Sequence, residues 1–292
     1  MKNVLACLVL LLVNIQVWAA EQITQLRPVG YRGFYTTDGP YAEFNPSSEN
    51  VFIEVPENDI RKPVIVYAHG GAGLREDDVR RVQMLNSNGF ATISFDAYEM
   101  NGLDWKFVTR KVSNTGKQNL IFAVFKGAVD YARQGSRWDS ENIFFYGSSN
   151  GGRVILSAAS TINMEHVRGI MSEAPAATGL ALGDITVPTI LAFGRLDTWA
   201  GKSNQDFIWK RTYPNNPISI DLWYQGLQKK NLPVSYRFYN NAGHNFHEGP
   251  LTKVTKQRGH GFSFTAYQGA STETKEQYEK DVVKFIYKNI KT

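Results

Sequence analysis

Cysteine is almost missing from this 292-residue chain; the one that occurs is Cys7. A disulfide framework and a cysteine-rich metal cluster are therefore excluded. Charge of one sign is never concentrated. Lys and Arg number 32 against 27 Asp and Glu, a net +5, and no run of five basic residues occurs, so a nucleic-acid arm has no basis and no nucleic-acid partner is expected. There is no His-Glu-x-x-His, no phosphate-cradling Gly-rich loop and no Gly-x-Gly-x-x-Gly after a strand, which leaves metal, nucleotide and nicotinamide chemistry without a motif. No cofactor and no metal are expected. Internal repeats, low-complexity tracts and inter-domain linkers are also lacking. What remains is a globular profile, 42% hydrophobic and 20% charged, that rules out wholesale disorder.

The longest apolar stretch, Val4 to Val13, follows Met1-Lys2-Asn3 and precedes Val17-Trp18-Ala19. A short basic start, an apolar centre and small side chains before a cut after Ala19 read as a secretory signal peptide. Its apolar centre is too short to cross a bilayer of about 30 Å, and no later segment reaches the roughly 18 apolar residues a spanning helix needs. Residues 1–19 are thus expected to be removed. Residues 20–292 would form one exported domain, periplasmic or extracellular, without stable membrane insertion and with its core as the sole source of stability. Oligomeric state has no signature in the sequence.

Buried-strand and amphipathic-helix patterns alternate from residue 51 onward. Val51–Val55 reads as an early strand closed by Pro56, and Val64–Ala68 as a strand covered on both faces. A helix is expected over Asp77–Asn88, with Val79, Val82 and Leu85 at helical spacing and Gly89 as its stop. Strand 91–95, a polar loop, helix 117–133 and strand 143–146 follow. A helix through Val154, Ile155 and Ala158, strands 169–171 and 189–193, helix 219–229 and strand 234–239 complete the alternation. Thr274-Lys275-Glu276-Gln277 has capping-box form ahead of a final helix with Tyr278, Val282, Phe285 and Ile286 on one face. Such alternation predicts an α/β fold: a mostly parallel sheet with helices on both faces and a site beyond the carboxyl ends of its strands.

Three strand ends carry chemistry. Gly147-Ser148-Ser149-Asn150-Gly151 fits Gly-x-Ser-x-Gly, a turn so sharp that the positions two before and two after the serine must lack side chains. Only Ser149 is centred between the glycines. A serine there needs a base, and the base needs a carboxylate, in the order Ser, acid, His. Asp197 follows strand 189–193 and His244 follows strand 234–239, both on the edge where Ser149 lies. Glu173, after the strand ending at Met171, is the competing acid. His247 lacks the small preceding residue that lets Gly243-His244 approach a neighbouring loop, and His260 sits between glycines in a longer loop. A tetrahedral oxyanion needs preorganised N–H donors. The expected donors are Asn150, at the start of a helix, and Gly71 or Ala72 in His69-Gly70-Gly71-Ala72. His69 is expected to hold that loop rather than carry protons.

With these residues in view, Gly-x-Ser-x-Gly-Gly, Gly-x-x-Asp at 194–197 and Ala-Gly-His-x-Phe at 242–246 resemble the dienelactone hydrolase branch of the α/β-hydrolase superfamily. The resemblance spans Val51 to Ile290 and implies an α/β-hydrolase fold of about eight strands with a minimal lid, and esterase-type acyl hydrolysis. The chain departs from that branch in offering Ser149 where the namesake enzymes use cysteine. Ser149-Asn150-Gly151-Gly152 is also similar to the prolyl oligopeptidase family, whose propeller domain has no counterpart here. The implied reading is a serine hydrolase acting on a small-molecule or polymer-borne carboxylic ester, with Ser149, His244 and Asp197 as triad. The alternatives are a non-catalytic hydrolase-like binding protein, and an acyltransferase or peptidase with the same triad. Tyr98, Trp105, Trp199 and Phe246 are expected near the rim, where aromatic rings grip substrate. The stretch Pro250–Ser271, with Lys253, Lys256, Arg258 and His260, is expected as a loop beside the site.

Overall fold

The computed structural model describes residues 25–29, 34–57, 61–175, 185–197, 220–247, 249–258 and 262–292. Residues 1–19, together with Trp199 and His260, lie outside the described residues. Eleven strands are described: β1 (Gln25–Val29), β2 (Phe34–Asp38), β3 (Val51–Glu54), β4 (Pro63–Ala68), β5 (Ala91–Phe95), β6 (Asp139–Ser148), β7 (Val167–Glu173), β8 (Thr189–Gly194), β9 (Val234–Tyr239), β10 (Thr252–Arg258) and β11 (Phe262–Gln268). The described helices are α1 (Glu76–Ser87), α2 (Ala97–Met100), α3 (Trp105–Lys111), α4 (Asn114–Gln134), α5 (Asn150–Ala158), α6 (Ile220–Gln228) and α7 (Thr272–Asn289).

Seven strands form the central sheet in the order β3-β5-β4-β6-β7-β8-β9, with β3 antiparallel and every other pairing parallel. Every residue of β4 and β5 is buried, which is what a continuous β-branched and aromatic run demands. Alternation then divides the core. Val64, Val66, Ala68 and Phe145 face the layer that includes α4 and α5, whereas Ile65, Tyr67, Phe144 and Tyr146 face α1 and α7. From β4 the chain runs outward to β5 and returns to lay β6 on the other side of β4. That reversal opens a crevice beyond the carboxyl ends of β4 and β6, and the 69–73 loop and Ser149 lie there.

Among the described residues the central sheet has seven strands, against the about eight expected, and β1 and β2 form a separate two-stranded pair. Three expectations are corrected. The polar stretch after β5 contains α2 and α3, started by the carboxylates of Asp96 and Asp104 on first-turn N–H groups. The final helix begins at Thr272, capped by Ser271 Oγ on Thr274 N–H, not at Thr274 itself. Within 250–271 the expected loop is an antiparallel hairpin, β10 on β11.

Candidate active site

Ser149 sits where β6 turns into α5, with φ 51° and ψ −114°, a left-handed conformation that L-residues avoid. The glycines around it are steric necessities. A Cβ on Gly147 would come within 2.7 Å of the Gly151 carbonyl carbon, and one on Gly151 within 2.1 Å of the Ala68 oxygen. The Ser149 turn is thereby pressed against the end of β4. Ser149 N–H donates to the Glu173 carbonyl at 2.9 Å, and its own carbonyl accepts the first helical bond from Arg153 at 3.0 Å.

The three residues picked from separate strand ends meet. His244 Nε2 lies 2.9 Å from Ser149 Oγ, and His244 Nδ1 lies 2.8 Å from Asp197 Oδ2. A carboxylate accepts only, so Nδ1 carries the proton and Nε2 is left as the acceptor for the serine hydroxyl. Asp197 is fully buried, His244 is 5% exposed and Ser149 is half-buried. Main-chain bonds zip the carrying loops together. Arg195 N–H donates to Tyr239 O and Leu196 N–H to Ala242 O, while His244 N–H donates to Tyr267 O at 2.7 Å and Gly243 N–H to Gly269 O at 2.9 Å. The hairpin therefore anchors the histidine loop from behind. Gly243 is needed for that approach, since a Cβ there would stand 2.1 Å from Tyr267 O.

Glu173 is not the carboxylate beside His244 Nδ1, which is Asp197. Glu173 is fully buried, with Arg81 Nη2 at 2.6 Å from Oε1 and Arg81 Nε at 2.9 Å from Oε2. Tyr146 OH donates to Oε2 at 3.0 Å and Phe246 N–H to Oε1 at 2.9 Å. Burial by itself would raise this carboxyl, but the Arg81 guanidinium above all, with the Phe246 N–H, holds it at about 2. His247 is also buried, against Tyr278, where burial and then Arg81 push it down to about 3. His69 is structural: Nδ1 donates to Gly70 O at 2.7 Å, Nε2 accepts from Ala97 N–H at 3.1 Å, and burial lowers its pKa.

Asn150 opens α5, so its N–H has no acceptor within the helix. Gly71 abuts it, since a Cβ there would lie 2.6 Å from Asn150 Nδ2, whereas Ala72 is exposed. Gln118 Nε2 donates to Asn150 Oδ1 at 2.9 Å. Lys117, pushed down to about 8 by burial, has its stem alongside Gly71 and its Nζ 3.2 Å from Thr109 O. Neither side chain stood out in the sequence, because α4 reads there as an ordinary helix start.

Two aromatic expectations are corrected. Tyr98 is fully buried, edge-on to His69 and 3.4 Å from Gly71 O, so it backs the 69–73 loop instead of facing the rim. Phe246 is fully buried between Tyr239 and Tyr278. Trp105 stays half-exposed with the Arg75 guanidinium 4.3 Å over its ring. Lys253 is exposed on β10.

No family sequence model matches the chain, and neither does a curated protein sequence. Solved structures do match. A dienelactone hydrolase from Anabaena variabilis is similar over 92% of this chain and 99% of its own, at 15% identity and TM-score 0.56. A dienelactone hydrolase-like promiscuous phosphotriesterase from metagenomic libraries is similar over 91% and 99%, at 13% and 0.55. Est1E from Butyrivibrio proteoclasticus, with ferulic acid bound, is similar over 82% and 94%, at 15% and 0.51. The chain has the α/β-hydrolase fold, and dienelactone hydrolases are among its structural neighbours.

Proposed function

We propose that this chain is an exported serine hydrolase that cleaves carboxylic esters through an acyl-enzyme on Ser149. The observation that carries the reading is the continuous relay from Asp197 Oδ2 through His244 to Ser149 Oγ, with both links under 3 Å. In this reading neutral His244 takes the Ser149 proton as Oγ attacks the ester carbonyl. Asp197 holds the imidazole by Nδ1–H and stabilises the cation that forms. The N–H groups of Asn150 and Gly71 donate to the oxyanion, with Ala72 the more exposed candidate of the two loop positions; one such donor is worth about 2.7–4 kcal/mol of barrier. His244 then returns the proton to the leaving alcohol, and water, activated by the same base, releases the acid. Nothing in this sequence of steps calls for a metal or cofactor.

The ester reading is supported by neighbours that include dienelactone hydrolases and Est1E with ferulic acid bound, while an acylaminoacyl peptidase among the neighbours keeps peptide cleavage as the second reading. Export rests on the character of residues 1–19. The test is Ser149→Ala assayed on a p-nitrophenyl short-chain ester. Loss of a triad serine is on the scale of a million-fold in kcat. Undiminished turnover in the folded variant defeats the proposal. A fluorophosphonate probe labelling the unaltered protein but not the variant separates an enzyme from a binding protein of the same fold. An added alcohol acceptor separates hydrolysis from acyl transfer.

A further inference from the structure

Glu173 closes β7 between the nucleophile turn and the histidine loop, and its two ends hold different partners. The main-chain carbonyl accepts the N–H of Ser149 at 2.9 Å. Its carboxylate lies on the α1 and α7 side of the sheet, the side that Met171 and Tyr146 also face. There Oε1 accepts the N–H of Phe246, two residues beyond His244, at 2.9 Å. Between them Asn245 adopts a left-handed φ of 53°, which turns the chain inward.

An ion pair with Arg81 is an incomplete account of this carboxylate. Arg81 has further carboxyl groups beside it, Asp77 at 3.0 Å and Asp78 at 3.5 Å, and Asp77 supplies a counter-charge besides Glu173. The donor that those carboxylates leave unexplained is Phe246 N–H, a loop amide brought to a fully buried acceptor. We infer that Glu173 is a positioning residue, a brace whose carbonyl fixes the Ser149 turn and whose carboxylate fixes the His244 loop. Resting on the serine hydrolase reading above, it sets the spacing of Oγ and Nε2 without touching substrate.

Geometry of this kind is felt in turnover rather than in binding, and a displacement of about 1 Å at a reacting pair costs roughly 100-fold. The test compares two double variants of the full chain, each free of the buried charge pair. Arg81→Met with Glu173→Gln keeps an oxygen for Phe246 N–H; Arg81→Met with Glu173→Met removes it. Both variants lose Arg81 alike, so the loss of its contacts with Asp77 and Asp78 is common to the two and cancels in their comparison. The readouts are kcat and KM on the p-nitrophenyl ester and the rate constant of fluorophosphonate labelling. The Gln-bearing variant is expected near the unaltered rates, and the Met-bearing variant roughly 100-fold lower in kcat and labelling with KM little changed. Equal rates in the two overturn the brace. Should either fail to fold, amide exchange of Phe246 in the unaltered protein decides: protection matching the β6 core supports the brace, and exchange at loop rates overturns it. If the unaltered protein neither labels nor turns over ester, the hydrolase reading fails, while Phe246 exchange still reports on the brace.

Discussion

His247 offers a measurement in which one side chain can be isolated from its neighbours. Burial, then the positive charge of Arg81, brings its pKa from 6.5 to about 3. The folded protein therefore keeps the ring neutral where the unfolded chain protonates it. Because the folded value is the lower one, the unfolded state binds more protons below pH 6.5, and stability drains away as pH falls from 6.5 toward 3. At 1.36 kcal/mol per pH unit the whole effect is about 5 kcal/mol. Two nearby groups act over overlapping ranges. Glu173, held at about 2 against an ordinary 4.5, contributes stability above 4.5 and loses about 3 kcal/mol on acidification toward 2. Asp78 has the opposite sign. Burial and then Asp77 raise it to about 7 from 3.8, so its contribution is complete below 3.8 and is lost as pH rises through 7. From about pH 6.5 to 4 Asp78 and His247 oppose one another, and the total curve hides both. His247→Leu keeps the buried volume and removes the proton site. Urea unfolding followed by tryptophan fluorescence across a pH series yields ΔG for each protein. Between about pH 6 and 4 the variant should gain on the unaltered chain by about 1.4 kcal/mol per pH unit. A difference independent of pH would refute the assignment of a neutral buried ring.

The remaining predictions concern the triad. Asp197→Asn should lower kcat on the p-nitrophenyl ester by about 10,000-fold with circular dichroism unchanged, because an amide no longer fixes the Nδ1–H tautomer. Retention of turnover within about tenfold would remove Asp197 from the relay. Ser149→Gly should be more stable than Ser149→Ala by about 1 kcal/mol, seen as a higher urea midpoint, since glycine relieves the backbone strain that alanine keeps. Equal midpoints would mean that the turn is not strained.

Both the sheet and the Ser149–His244–Asp197 cluster were legible from strand ends. Ser149 and Asp197 follow strands whose apolar runs mark burial on both faces, whereas β9 before His244 alternates, and the glycines beside Ser149 and His244 mark backbone approach. Glu173 was ambiguous because its decisive partner, Arg81, lies 92 positions away in the chain. Tyr98 follows the end of β5 and Phe246 stands two residues after His244, but both point into packed layers, a distinction that position along the chain does not carry. The hairpin escaped notice because Thr252–Arg258 has one apolar side chain, Val254, and so lacks the alternation that announces a half-buried strand. Ser271 and Thr274 are both good caps three residues apart, and Ser271 prevails because its hydroxyl takes the Thr274 N–H while Thr274 Oγ1 donates to Asn240 O.

Ser149, Ala174, Asn241 and Asn245 all hold left-handed backbone conformations, and all lie past the ends of β6, β7 and β9. Strain of this sort persists only where surrounding structure over-determines it. Here the constraint comes from main-chain bonds between loops: Ser149 to Glu173, Leu196 to Ala242 and His244 to Tyr267. The hydrogen bonds from Asp197 to His244 and from His244 to Ser149 are not what brings these loops together. Removing the serine hydroxyl should therefore leave His244 and Asp197 where they are, so triad variants report on chemistry with little contribution from folding. Gly194 and Gly243 belong to the other class. A Cβ at either would stand 2.3 Å and 2.1 Å, respectively, from a facing main-chain oxygen, so a loss of turnover there mixes chemistry with displaced loops.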